Sequence, residues 1–197
     1  MILPIVAYGD PVLKKAGAEI KKGHTGLQSL IDDMFETMYH AKGVGLAAPQ
    51  VGQSVRLFIV DAFPFAEDED DEESEMTIEE IRFLKTFKRV FINPKIREEW
   101  GEEWKFNEGC LSIPKIREDI FRLPEIEIEY QDADFKHHTE TFSGMAARII
   151  QHEYDHIEGT LFTDRISQLR KRMIKGKLMD ISKGKIKTDY KMRFPSK

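Results

Sequence analysis

Residues 151–156 read QHEYDH, and no other stretch constrains the fold as much. Two histidines stand four apart, with a glutamate directly after the first. In a helix, His152 and His156 stack one turn apart on one face and can grip a single metal ion. Ser143 opens that helix, and Gly159 is placed to end it. Met145, Ile149, His152 and His156 share one face; Ala147, Ile150, Tyr154 and Ile157 line another. Arg148, Gln151, Asp155 and Glu158 make a narrow polar stripe. A helix apolar on two sides belongs in the middle of a domain. A buried imidazole without a partner is costly, so this setting favours a metal site over two surface histidines.

Two protein ligands rarely hold a catalytic ion; three plus a water is the usual count. One family of metal proteases extends HExxH with a glycine and a third histidine. Here Gly159 is present but Phe162 stands at the histidine position, which excludes that version. Glu158 is too near and lies on the polar stripe. Asp164 falls beyond the helix end, and His137 and His138 sit side by side on an expected strand. Cys110 lies in NEGCLSIP, residues 107–114, a small-residue stretch that reads as a loop. A thiolate is a strong ligand for zinc or ferrous iron. A buried inert thiol is the usual fate of a lone cysteine, so spacing leaves these alternatives open.

The rest of the chain reads as one soluble mixed α and β domain. Its 197 residues suffice for a real core, and 41% hydrophobic with 33% charged residues suits a globular protein. No apolar run is long enough to span a membrane, the N-terminus has no leader pattern, and one cysteine suits a reducing compartment. A cytoplasmic location is expected. The apolar spacing of Leu27, Leu30, Ile31, Met34, Phe35 and Met38 predicts a helix over 25–43, with Thr25 and Gln28 as a capping box and Gly43 at its stop. Strands are expected at 55–60, at 87–94 ending at Pro94, and at 125–130, with 135–142 returning as a hairpin partner. The acidic run 67–75 lies in an insertion over 62–86 and reads as solvated, followed by a short helix over 77–87.

A third stretch, GVGLAAPQ at 43–50, joins EGCLS at 108–112 and QHEYDH at 151–156. In this order and at this spacing the three resemble the signatures of the bacterial-type peptide deformylases, over roughly residues 4–166. The resemblance implies an α+β fold of antiparallel strands around a central HExxH helix, with a basic helical extension over 166–197 following a catalytic domain over 1–165. It implies that Cys110, His152 and His156 hold one divalent ion with a water at the fourth position. That ion is expected to be ferrous iron in the cell, with zinc or nickel in purified protein. Glu153 resembles the general acid/base. Gln50 and the backbone N–H of Leu111 resemble the donors to the oxyanion, and Gly45 the glycine at the site entrance. Val44, Glu108, Gly109, Arg117, Met145 and Ile149 are expected around the substrate, with Arg122 supporting Glu108 from behind.

The reaction implied is hydrolysis of the formyl group from N-formyl-methionyl nascent peptides. Two other readings compete: a small HExxH peptidase with another third ligand, and a metal-stabilised ribosome-binding module. The tail after Arg165 carries eleven Lys/Arg and two Asp and suits rRNA electrostatically, so the ribosome is an expected partner. Its first part is expected to be helical with a break near Gly176.

Overall fold

The computed structural model describes residues 1–67 and 76–195. Most of the acidic run falls on residues 68–75, outside the described residues. The strands follow from period-two patterns and the helices from three-and-four spacing, as expected, with informative exceptions.

A five-stranded antiparallel sheet forms the frame. Its order is β2 (Gly45–Ala47), β3 (Leu57–Asp61), β4 (Lys88–Trp100), β7 (Glu125–Gln131) and β8 (His137–Ser143). Strand β3 is buried on both faces, which explains its unbroken apolar sequence LFIV. Leu57 and Ile59 face α1 (Leu27–His40), joining Ile31, Met34 and Met38. Phe58 and Val60 face the opposite side, joining Phe91, Ile126, Ile128, Phe142 and the apolar face of α4 (Gly144–Ile157). The HExxH helix is therefore packed across the middle of the sheet.

A hairpin, β5 (Trp104–Cys110) and β6 (Ile113–Arg122), stands apart from this sheet. It packs with Leu161, Phe162 and helix α5 (Gln168–Ser182) in a second cluster that includes Ile116, Ile120, Ile174, Leu178 and Ile181. The chain ends meet there, as β1 (Ile5–Val6) pairs in parallel with β9 (Met192–Arg193).

Four expectations are corrected. Thr25 and Gln28 form no capping box: Gly26 is the N-cap, with no side-chain bond, and Gln28 donates to Asp32 at 2.9 Å. Pro94 does not end its strand. The register shifts between Ile92 and Lys95, and Asn93 takes φ 50° there, so the imide falls in an irregularity where no ladder N–H is required. Gly176 does not break α5, because Ile174, Leu178 and Ile181 hold both halves against the core. The 107–114 stretch is not a loop; it spans the end of β5 and the start of β6.

The N-terminus of α4 is stabilised from outside the helix. Ser143 occupies the cap position without a side-chain bond. Helix α3 (Ile78–Thr86), following the short helix α2 (Phe63–Glu67), supplies Glu80, whose Oε1 accepts from the Met145 N–H at 3.0 Å. Gly144 has φ +57°, and a Cβ there would lie 2.2 Å from that same oxygen. Glycine thus satisfies both the backbone angle and the close approach of the carboxylate.

Candidate active site

Helix α4 presents His152 and His156 on one face, and the end of β5 brings Cys110 against them. Their ligand atoms all lie within 4.8 Å of one another. Cys110 Sγ is 3.3 Å from His156 Nε2. Position separates the candidates for a third ligand. Asp164 pairs with Lys14 and accepts from the Leu161 N–H. Glu158 pairs with Arg56 at 2.6 Å. His138 pairs with Asp132 at 2.7 Å, and His137 lies 3.1 Å from the Gln131 amide. Only Cys110 joins the two helix histidines among the described residues. One sulfur and two imidazoles form a donor set suited to zinc or ferrous iron, and their approach fits such an ion.

Behind these residues lies a buried charge network. The His152 Nδ1–H donates to Glu108 Oε2 at 2.9 Å, which fixes the ring and leaves Nε2 as the atom available to the cluster. Glu108 also accepts from Arg122 Nε at 2.7 Å and Arg148 at 3.0 Å. Arg122 reaches Asp155 at 2.9 Å, and Asp155 accepts from Arg165 Nε at 2.6 Å. Burial works against the Glu108 charge, yet Arg122 and His152 hold its carboxyl well below the usual carboxylate range. Burial and the His152 and Arg122 charges push His156 well below the usual histidine value. A neutral imidazole is the form that binds metal.

Glu153 stands beside this cluster with its side chain 4% exposed and Oε2 without a hydrogen bond among the described residues. Burial raises its pKa to about 7; His152 opposes the rise, and Glu108 and Asp155 add to it. The glycine of β2 makes room for this carboxyl. A Cβ on Gly45 would lie 2.4 Å from Glu153 Oε1.

Gln50 is buried in a short 3-10 turn, Ala48–Val51, that follows β2. Its Oε1 accepts from the Ala47 N–H at 2.9 Å, which fixes the amide. Its Nε2 is thereby aimed at the site, 3.4 Å from Cys110 Sγ and 3.3 Å from Ser112 Oγ.

These groups open on a cleft of about 680 Å³. Val44, Gly45, Gln50, Glu108, Gly109, Cys110, Leu111, Arg117, Met145, Ile149, His152 and Glu153 all line it. His156 and Arg122 are buried behind the wall, 1% and 4% exposed. Three contributors escaped the sequence reading. Arg148, on the polar stripe of the helical pattern, is 2% exposed and stacked 4.3 Å over the Trp104 ring. Its position one turn before His152 was the available signal. Phe65 of α2 and Phe106 of β5 add an aromatic wall, their rings 6.2 Å apart. Lys187 to Tyr190 reach the cleft from the C-terminal end, which no local pattern marks.

The family model for polypeptide deformylase matches residues 2–172. A peptide deformylase of Christiangramia forsetii is 61% identical over 196 residues, covering 100% of this chain and 97% of that one. One from Flavobacterium johnsoniae is 57% identical, covering 98% and 96%. Among solved structures, a Legionella pneumophila peptide deformylase superposes with TM-score 0.76 at 34% identity, covering 94% of this chain and 98% of that one. A Thermotoga maritima peptide deformylase gives 0.71 at 38%, covering 85% and 99%.

Proposed function

Because the chain belongs to the polypeptide deformylase family and is an enzyme removing formyl groups from nascent peptides, we propose that its own catalytic residues are those gathered at the Cys110–His152–His156 cleft. The observation that carries this reading is the approach of these three ligand atoms beside a buried carboxyl with an unpartnered oxygen.

Cys110, His152 and His156 would hold one divalent ion, ferrous iron in the cell and zinc or nickel in purified protein. When bound, that ion supplies Lewis-acid polarisation and an acidified water. Glu153 acts as general acid/base. It takes a proton as water adds to the formyl carbon, and returns it to the peptide nitrogen as the carbon–nitrogen bond breaks. The products are formate and a free N-terminal amine. Gln50 Nε2 and the Leu111 N–H donate to the oxygen on which negative charge develops, each such donor being worth roughly 3 kcal/mol. Gln50 is held for this by the Ala47 bond, so no reorganisation is needed at the moment of reaction.

The substrate side chain lies against Val44, Met145, Ile149, Arg117 and the stem of Glu108, all on the cleft wall. Backbone at Val44 and Gly109 is placed to pair with an extended peptide. Glu108 and Arg122 orient His152 from behind. The ribosome remains the proposed docking partner for α5, whose Arg172, Lys175 and Lys177 are exposed.

Glu153→Gln tests the core of this reading. It is expected to abolish formate release from formyl-Met-Ala-Ser while metal content stays at one per chain. Cys110→Ala is expected to lose the metal. Retention of both metal and activity in Cys110→Ala would overturn the ligand set.

A further inference from the structure

The family match stops at residue 172, yet the cleft is completed by residues beyond it. After α5 the chain turns back. Ile5 and Ala7 donate to the carbonyls of Lys191 and Arg193 at 2.9 and 2.8 Å, securing β9 beside β1. This return carries Lys187, Thr188, Asp189 and Tyr190 onto the wall of the cleft that holds Gln50, Cys110 and Glu153.

The contact made there is specific. The Tyr190 hydroxyl donates to the Leu111 carbonyl at 2.7 Å. Thr188 Oγ1 donates to the Tyr190 carbonyl at 2.7 Å and shapes the segment locally. The turn between β5 and β6, residues 111 and 112, is also held at its other carbonyl. There Ser112 O accepts from the Tyr8 N–H at 2.9 Å. Both terminal segments, paired with each other, therefore grip the same two-residue turn. The turn needs such support because the β5–β6 register is irregular between Gly109 and Cys110. An irregular ladder leaves peptide planes less determined by strand pairing.

We propose that Tyr190 is a positioning residue for the deformylase reaction, acting through Leu111. The proposal rests on the reading that the Leu111 N–H donates to the oxyanion. The Leu111 carbonyl lies in the peptide plane after its Cα and the N–H in the plane before it. With the later plane anchored at Tyr190 and Cys110 paired to Ile113, φ and ψ of residue 111 are confined between two held planes, which limits the swing of its N–H. Catalytic donors must be held to within about half an ångström, and a misplacement of about 1 Å can cost roughly a hundredfold in rate. A hydroxyl on a docked C-terminal segment supplies this constraint through the backbone of residue 111.

The test uses the full chain with its metal bound. Tyr190→Phe keeps the ring and removes the hydroxyl; Tyr190→Leu removes both. Formate release from formyl-Met-Ala-Ser is measured with kcat and KM separated, alongside metal content and Tm. The expected result for Tyr190→Phe is a fall in kcat of about tenfold or more, with KM within about twofold. Metal content and Tm stay those of the unaltered protein. Equal kcat for Tyr190→Phe and the unaltered chain, with loss only in Tyr190→Leu, would show a packing role and overturn the proposal. So would a fall in kcat matched by loss of metal. In both cases formate release by the unaltered chain leaves the deformylase reading standing. Only failure of the unaltered chain to release formate would remove both.

Discussion

Gly45 shows how one missing methyl group makes room for the Glu153 carboxyl. The space a Cβ would fill is taken by Glu153, whose Oε1, Cγ and Cδ lie 2.4 to 2.8 Å from that point. In Gly45→Ala the carboxylate must move, since it is the flexible end of the contact. The expected outcome is a loss of kcat/KM of at least about tenfold with metal content unchanged, checked by formate release and metal analysis. Glu108 is the second residue on which the site turns. It is 4% exposed and answers three cationic or hydrogen-bonding partners at once, namely Arg122, Arg148 and His152. A buried carboxylate tolerates its desolvation only in such company. The Glu108–Arg122 pairing was expected only from the family resemblance; no local pattern joins residues fourteen apart on two strands. Arg148 was not expected, because a cation on a polar stripe reads as solvated until an acid is seen opposite it.

At the scale of elements, α4 depends on a neighbour for its start. Ser143 makes no side-chain cap, and Glu80 from α3 supplies the acceptor for Met145. Glu80→Ala is expected to cost about 1 kcal/mol of stability, read as a lower urea midpoint with an unchanged m-value. A carboxylate at a helix N-terminus also interacts favourably with the positive end of the dipole, so added salt should narrow the difference. Strand β6 illustrates why part of the fold was hidden. Its even positions point inward, but Glu118 and Arg122 are among them. Each is neutralised from another element, Glu118 by Arg170 at 2.8 Å and Arg122 by Glu108. Charges at inward positions broke the apolar alternation that otherwise marks a half-buried strand, so IPKIREDIFR did not read as one. Strands β3 and β7 were legible because their inward positions are uniformly apolar. In α5, Gly176 is a weak helix former, yet burial at Ile174, Leu178 and Ile181 outweighs a propensity deficit of about 1 kcal/mol.

For the whole molecule, the cleft draws on five distant segments: residues 42–50, Phe65 of α2, the β5–β6 hairpin, α4 and the C-terminal return. The basic character of α5 belongs at this scale too. Its inner face is committed to the core, leaving Arg172, Lys175 and Lys177 outward. Replacing these three by Glu is expected to weaken ribosome co-sedimentation, most clearly at low salt. Formate release from short peptides should stay unchanged, because none of the three lines the cleft.

The sequence alone determined the helix that carries His152, Glu153 and His156, because a ligand pair one turn apart is a local property of helical geometry. With its three motifs in order, it also determined the family. Tertiary structure decided the rest: that Cys110 rather than Asp164 or His138 lies with the two helix histidines, that Arg148 is buried, and that Tyr190 meets Leu111. Those pairings join residues 40 to 79 positions apart, and only the packing of sheet, hairpin and chain ends brings them together.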